Sequence, residues 1–260
     1  MRAIWTGAIG FGLVNIPVKL YSATESSSLD LDMLDKKDHS KIRFKRVNES
    51  TGKEVQWENI VKAYDYEGKY VILGDDDFKK ASPEKSKILE IAQFVKEEEV
   101  NSMYYDSPYY LEPQKAGEKA YALLREALKK TGMVGLGTFV LRSKQLLGII
   151  KPYEDVVVLN KIRFAQEIRD YNDLNLPAGK DVKLKPAEIK MAEELIKQLS
   201  DDFKIDEYRD TYTDELMKVI EAKAKGKKLT PTKMKVVHSQ SDDIVAQLKQ
   251  SITMTKKKAS

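Results

Sequence analysis

The sequence predicts a mixed β and α fold, in which an antiparallel β-barrel or sandwich is followed by a helical appendage. Three observations predict this class. Most segments in about the first 170 residues are short, rich in β-branched and aromatic residues, and bounded by turn residues. Only one clear helical pattern interrupts them, so strands do not alternate with helices as in a doubly wound sheet. Beyond about residue 185 the apolar spacing becomes helical.

The first strand candidates lie in the opening fifth of the chain. Residues 4–21, "IWTGAIGFGLVNIPVKLY", are read as a strand that enters at a glycine-permitted bend. "LDLDML" and "KIRFKRV" alternate apolar with charged residues, as half-buried strands do. The apolar positions of the second segment are predicted to face the core: Ile42, Phe44 and Val47. Its cations then lie on the opposite face: Lys41, Arg43 and Lys45.

Turn signals divide the middle of the chain into further strands. "NESTGKEV" predicts a turn centred on Gly52, and "YDYEGKYVIL" predicts a hairpin around Glu67 and Gly68. "KILEIAQFV" is apolar enough for a buried strand, and "YYDSPYYLEP" is extended as far as its last proline. Three consecutive strands with short connections are predicted later, in "VGLGTFVLRSK", "QLLGIIKPYE" and "DVVVLNKIRF".

Helical patterns appear before and after a long loop. "KAGEKAYALLREALKKTG" ends at Gly132 and has an apolar face made of Ala116, Ala120, Leu123, Leu124, Ala127 and Leu128. Residues 172–185 have loop composition and bound the first domain. "PAEIKMAEELIKQLSDDF" then begins with a proline suited to a first helical turn, and "TDELMKVIEAKAKG" begins at Thr213 as its capping residue. "SDDIVAQLKQSI" fits a short amphipathic helix.

The glycines near the start do not predict a nucleotide site. Gly7, Gly10 and Gly12 have the spacing G-x-x-G-x-G, the reverse of the dinucleotide fingerprint. That fingerprint opens a helix, whereas Pro17 and the β-rich "LVNIPVKLY" follow here, so no helix N-terminus is available for a phosphate. We expect a bend or bulge in a barrel strand instead.

Composition excludes several kinds of chemistry. The chain has no cysteine, so disulfides, thiolate catalysis and cysteine zinc sites are excluded. It has two histidines, and its acidic runs at residues 75–77 and 97–99 are adjacent rather than spaced to converge on a metal. We therefore expect no catalytic residue, no metal and no cofactor. With no long apolar run and no signal peptide, a cytoplasmic protein without a membrane partner is predicted.

Cations are distributed in a way that fits a polyanion partner. The formal net charge is +4, but residues 222–260 carry ten lysines against two aspartates. "SKIRFKR" adds Lys41, Arg43, Lys45 and Arg46, and "LRSK" adds Arg142 and Lys144. Such residues fit contacts with a phosphate backbone, or alternatively a solvated outer face and tail. The clustered tyrosines fit stacking on bases or, more commonly, packing in strands.

Several blocks of the sequence together resemble one family. "MRAIWTGAIGFGLVNIPVKLYSATE" resembles the start of bacterial Ku proteins, and the resemblance continues through "NIVKAYDYEGKYVIL", "LRSKQLLGIIKPYE" and "DEYRDTYTDELMKVIEAK" to about residue 225. It implies a homodimeric ring that threads over ends of double-stranded DNA in non-homologous end joining. It also implies no catalytic activity, recruitment and stimulation of ligase D, and a place at the nucleoid.

The resemblance implies a domain map and a set of DNA contacts. A barrel core spans residues 1–180 with an inserted bridge at about 48–73, a helical arm spans 181–225, and a basic tail spans 226–260. The candidate DNA-binding residues are Lys19, Lys41, Arg43, Lys45, Arg46, Arg142, Lys144, Lys256, Lys257 and Lys258. Many relatives carry cysteines near what are here Asp38, Asn48 and Thr51, so a metal or thiol role there does not transfer to this chain.

Two other functions remain open at this point. One is a phage-type DNA end-protection protein that lacks the ligase-recruiting arm, against which the helical residues 186–225 argue. The other is a metal-dependent nuclease on a barrel scaffold, against which the missing phosphate loop and the scarcity of histidine and cysteine argue.

Overall fold

A computed structural model describes residues 1–81, 87–142, 144–177, 182–227, 247–248 and 251–253. The chain divides into two compact units. The first consists of Met1–Ser26 and Asp30–Asp170, and the second of Ser27–Leu29 and Tyr171–Ser260. Most of the predicted tail, and with it most of "SDDIVAQLKQSI", lies outside the described residues.

The first unit is built on a closed barrel of seven strands. In chain order its elements are β1 (Trp5–Phe11), β2 (Val14–Ser22), β3 (Lys62–Tyr66), β4 (Lys69–Leu73), α1 (Asp75–Ala81), β5 (Ile88–Lys96), β6 (Tyr105–Pro113), α2 (Glu118–Thr131), β7 (Met133–Leu141), β8 (Lys144–Tyr153) and β9 (Val156–Ile162). The barrel order is β1-β2-β6-β9-β8-β7-β5, while β3 and β4 form a separate hairpin. All barrel neighbours pair antiparallel except β1 and β5, which are parallel. The prediction of a barrel or sandwich is thus resolved in favour of the barrel.

The opening segment forms two strands, so the prediction of one bent strand was wrong. β1 and β2 pair from Trp5↔Leu20 to Phe11↔Val14, and the turn between them has a positive φ of 56° at Gly12. The other two glycines permit close approach at the parallel β1–β5 seam. A Cβ at Gly7 would lie 2.2 Å from the Lys87 carbonyl oxygen, and one at Gly10 would lie 2.7 Å from Ile88 Cγ2. These glycines therefore shape the barrel.

Alternating side chains from the strands fill the barrel. The largest fully buried residues include Ile9, Ile16, Leu20, Leu89, Leu111, Phe139, Ile150 and Leu159. Helix α2 adds Tyr121, Leu124 and Leu128 to the same core, and Gly132 ends the helix in the left-handed conformation, as predicted. Leu124 and Leu128 were predicted on the apolar face, but Leu123 of that face is 72% exposed.

Tyr121 links the helix to two barrel strands. Its hydroxyl donates to the carbonyl of Leu111 at 2.6 Å and accepts the backbone N–H of Val157 at 2.7 Å. The side chain is only 6% exposed, and burial raises the pKa of its phenol. The Tyr121 hydroxyl therefore provides a hydrogen-bond partner for two buried backbone groups, the Val157 N–H of β9 and the Leu111 carbonyl of β6.

We expect Tyr121→Phe to lower the free energy of unfolding by about 2–3 kcal/mol, because it leaves two buried backbone groups unpaired. Urea denaturation of the full chain measures the change. Tyr153→Phe is the matched control, since Tyr153 is 51% exposed, and its effect should stay within about 0.5 kcal/mol. Equal stability of the two variants would contradict the assigned role.

Between β2 and β5 lies an inserted segment, residues 27–81, only part of which forms regular structure. The β3–β4 hairpin turns at Glu67 (φ 53°) and Gly68 (φ 80°), as predicted. The strands predicted for "LDLDML" and "KIRFKRV" are absent, because these segments pair only at the isolated bridges Leu34↔Lys41 and Val47↔Glu54.

In residues 182–227 of the second unit, the structure has the helices α3 (Pro186–Leu199) and α4 (Thr211–Ala224). The proline lies in the first turn of α3, as predicted. The N-cap of α4 is Asp210 and not Thr213. Its carboxylate accepts the N–H groups of Tyr212 and Thr213 at 3.1 Å each. The hydrogen bond from the Thr213 hydroxyl, followed by the Thr213 N–H, lowers the pKa of Asp210. A carboxylate interacts better than a hydroxyl with the positive end of the helix dipole.

None of the helices among the described residues is long and apolar enough to cross a membrane.

Candidate nucleic-acid interface

The inserted segment contains two copies of one hydrogen-bonded turn, at residues 35–40 and 48–53. In the first turn, Asp35 N–H donates to the Ser40 carbonyl at 2.8 Å and His39 N–H donates to the Asp35 carbonyl at 2.9 Å. Thirteen residues later, the Asn48 N–H donates to the Lys53 carbonyl and the Gly52 N–H donates to the Asn48 carbonyl, both at 2.8 Å. His39 and Gly52 occupy equivalent positions and both have positive φ. The segments therefore fold in the same way without a hydrophobic core.

Side-chain oxygens complete both turns, and they do not fit a metal. Asn48 Oδ1 accepts the N–H groups of Ser50 and Thr51 at 3.0 Å each, and Asp38 Oδ1 accepts the Ser40 N–H at 3.0 Å. The Ser40 N–H, followed by the Ser40 hydroxyl, which donates to Asp38 Oδ1 at 2.8 Å, lowers the pKa of Asp38. Over the described parts of the chain, no group of three or more histidine, cysteine or acidic side chains could hold a metal ion. The side-chain oxygens of Asp38 and Asn48 are thus already used by hydrogen bonds within their own turns.

We expect dialysis against excess EDTA to leave the melting temperature and the duplex affinity unchanged, because backbone N–H groups rather than a metal satisfy these side chains. Differential scanning fluorimetry and metal analysis by mass spectrometry measure this. Release of stoichiometric zinc together with a fall in melting temperature would contradict it.

The four predicted cations of this segment differ in their surroundings. Lys41 Nζ lies 2.9 Å from Asp32 Oδ2, and Lys45 Nζ lies 2.6 Å from Glu54 Oε2. Arg46 stacks over Trp57, with its guanidinium carbon 4.5 Å from the ring centroid. Arg43 is exposed and has no ion-pair partner among the residues that the structure describes. Arg43 is thus the cation of this group with its charge most available to a ligand.

The apolar residues of the same segment are exposed, so the prediction that they face the core was wrong. The exposed fraction is 45% for Ile42, 80% for Phe44 and 60% for Val47. The segment pairs with its neighbours only at isolated bridges and is not part of a sheet. It therefore has no core in which these three side chains could be buried.

The β3–β4 hairpin has one face that combines cations with aromatic rings. Tyr64 pairs with Val71 and Tyr66 with Lys69, which places Lys62, Tyr64, Tyr66 and Lys69 on the same face. Tyr64 and Tyr66 are at least 60% exposed, so the tyrosines of this strand do not pack in a core. Lysine and tyrosine on an exposed ribbon can contact phosphates and sugars of a duplex.

The remaining predicted cations lie on the barrel or outside the described residues. Arg142 is in the β7–β8 turn with a φ of 52°, and Lys144 begins β8 opposite Leu141. Lys19 points out of the barrel from β2, between Thr6 and Glu112 of the neighbouring strands. Over the described residues, β2, β7 and β8 pair only with other barrel strands, so no strand pairing links these three cations to those of the inserted segment. Lys256, Lys257 and Lys258 lie outside the described residues.

Another cationic cluster on the barrel was missed from the sequence. Lys161 Nζ lies 2.6 Å from Asp106 Oδ2, and the Arg163 guanidinium lies 3.6 Å from Asp106 Oδ1. The hydrogen bond from Lys161 is the main cause that lowers the pKa of Asp106. Lys151 pairs with Glu97 and lies 6.0 Å from the ring centroid of Tyr105. The cluster has three cations and two acids, so it carries one excess positive charge. Its three cationic side chains are 27–38% exposed.

Comparisons with known proteins agree with this architecture. The family model described as the Ku70/Ku80 beta-barrel domain matches residues 10–191. Proteins named "Non-homologous end joining protein Ku" are similar over most of their length. The one from Coxiella burnetii is 43% identical over 100% of this chain and 98% of its own. Those from Pseudomonas aeruginosa and Bacillus subtilis are 42% and 37% identical, over 86% and 99% of this chain and 77% and 83% of theirs. The chain therefore belongs to the Ku family.

Proposed function

We propose that this protein binds ends of double-stranded DNA in non-homologous end joining, as a homodimeric ring without catalytic activity of its own. We further propose that it recruits and stimulates ligase D and acts at the nucleoid in the cytoplasm. The observation that carries the proposal is the inserted segment, which combines exposed cations and tyrosines with exposed apolar side chains on a closed barrel of the Ku family.

Exposed apolar side chains support a second copy of the chain as a partner. In the inserted segment, the large apolar or aromatic residues that are at least 60% exposed are Leu31, Met33, Phe44, Val47, Trp57, Val61, Tyr64, Tyr66, Tyr70 and Ile72. Exposed large apolar side chains in such number within one segment are typical of a protein interface, because a partner would remove them from water. In the second unit, Leu199, Phe203 and Tyr208 are also more than 60% exposed, which supports the proposed helical arm that embraces the partner.

The cations support a sequence-independent contact with DNA. Lys62 and Lys69 of the hairpin, Arg43 of the inserted segment and Arg142 of the β7–β8 turn all lie on extended elements or turns. No recognition helix carries them, so contact with the phosphate backbone is favoured over readout of base edges. We propose residues 1–180 as the core, 48–73 as the bridge, 181–225 as the arm and 226–260 as a further basic contact.

An exonuclease protection assay tests this function. We expect the protein to protect an end-labelled linear duplex from an added exonuclease, because a bound ring covers the end. The protein incubated with the duplex and Mg²⁺ or Mn²⁺ alone should leave it intact, since no catalytic group is proposed. Cleavage products in the second reaction would support a nuclease, and an unprotected end in the first would contradict end binding.

A further inference from the structure

An apolar groove lies in the barrel unit, and none of the cations discussed above is among its lining residues. It has a volume of about 530 Å³ and runs between α2, the β1–β2 hairpin and the barrel strands β5 and β7. Its main lining residues are Phe11, Val14, Phe94, Leu123, Ala127 and Met133. The groove is therefore a cleft in the barrel unit alone, with almost entirely apolar walls.

The groove leaves large side chains open to solvent. Leu123 on α2 is 72% exposed, and Val14 and Phe94 are each 40% exposed. Leu13, at the tip of the β1–β2 turn, is fully exposed beside them. The rings of Phe11 and Phe94 meet edge to face at 6.0 Å, which fixes one wall. Single exposed apolar residues are common, but a concave group of them is typical of a binding surface.

The dimensions of the groove match a short helix. Its lining along α2 extends from Ala120 to Thr131, which is about 17 Å or three helical turns. An amphipathic helix binds such a groove with apolar side chains spaced three or four residues apart. The small residues Ala120 and Ala127 on the α2 side allow the backbone of a second helix to approach closely.

The solvent edge of the groove is positively charged. Lys119 and Lys130 lie four residues before and seven residues after Leu123, so helical periodicity places them on the same side of α2. Neither lysine has an ion-pair partner among the described residues. Glu126 lies on that side too, but its Oε1 is 3.0 Å from the guanidinium of Arg125, which offsets its charge. A ligand that fills the groove would therefore be stabilised by acidic residues along its edge.

We propose that this groove binds a short amphipathic helix of a partner protein, with an apolar stripe that covers Leu123, Val14 and Phe94 and acidic residues that face Lys119 and Lys130. The recognition chemistry is apolar burial with flanking carboxylates, which differs from that of a phosphate backbone. The site lies on the barrel alone, so binding requires neither DNA nor the residues of the proposed DNA interface.

Fluorescence anisotropy with a pair of designed peptides tests the proposal on the full chain without DNA. The first is a labelled helical peptide with leucines at positions i, i+4 and i+7 and glutamates beside them, and the second has lysines in place of the glutamates. We expect the acidic peptide to bind about tenfold more tightly than the basic one, equal to about 1.4 kcal/mol. Equal affinity of the two peptides for the wild-type chain would overturn the proposed charge complementarity.

Variants locate the binding site. Leu123→Lys should weaken the acidic peptide at least about tenfold, since it places a charge in the apolar stripe. Leu176→Lys is the matched control, because Leu176 is 57% exposed but lies in the second unit, and it should leave the affinity unchanged. The double variant Lys119→Glu and Lys130→Glu should reverse the preference toward the basic peptide. An unchanged preference would overturn the proposal.

Two further measurements separate this groove from other occupants. Leu123→Lys should keep the sedimentation coefficient and the duplex affinity of the wild type. If it dissociates the protein and leaves peptide binding unaltered, the groove is an interface between copies and the proposal is wrong. A loss of duplex binding with unaltered peptide binding would place DNA there and would equally overturn it.

Discussion

A linear duplex is expected to bind this protein more tightly than a covalently closed circle of the same sequence, by a factor on the order of 10²–10³. The physical reason is topological. The proposed interface carries cations and tyrosines on ribbons and turns, which contact a backbone that is the same at every position along the duplex. Preference for ends must then come from a ring that a free end can enter and a closed circle cannot.

A relaxed minicircle and the same minicircle cut once provide the comparison, since they differ only in their ends. Electrophoretic mobility shifts at moderate salt measure both affinities, because low salt strengthens contacts that need no end. Linear DNA with both ends blocked by bound streptavidin is a second control and should bind as weakly as the circle. Equal affinity for the cut and closed forms would refute threading while leaving membership of the family untouched.

Most of the barrel was predictable, because strand segments carry a local signal. Alternation and β-branched residues located β5 to β9, and Glu67-Gly68 located the hairpin with its two positive φ values. The β1–β2 turn was missed because Gly12 and Leu13 lie inside an apolar run with no polar turn residue. The parallel β1–β5 seam was also unpredictable, since the order of strands depends on contacts between distant segments.

The candidate site was predicted less completely, for two physical reasons. Ion pairs such as Lys161–Asp106 join residues far apart in sequence, so they depend on strand register and not on a local pattern. The alternation of "KIRFKRV" indicates burial of Ile42 and Phe44, yet both are exposed in the single chain. An apolar side chain in an alternating pattern can be buried by a partner protein as well as by the chain's own core. We propose that a second copy of the chain covers Ile42 and Phe44.

Reversing two charges, Arg43→Glu with Arg142→Glu, is expected to lower the duplex affinity about 10- to 100-fold and to make its salt dependence shallower by about two ions. Each arginine that contacts a phosphate releases about one counterion, and a glutamate there repels the backbone. Arg43 is chosen because Lys41 and Lys45 already pair with Asp32 and Glu54. The slope of log affinity against log salt concentration gives the number of lost contacts.

The matched control removes the same total charge from the second unit. Lys190→Glu with Lys197→Glu changes two exposed lysines of α3, so both double variants lower the net charge by the same amount. If attraction between net charges alone drives binding, the two variants will lose affinity equally and keep similar slopes. If Arg43 and Arg142 contact the backbone, their variant alone will show the shallower slope, because counterion release depends on local contacts and not on total charge.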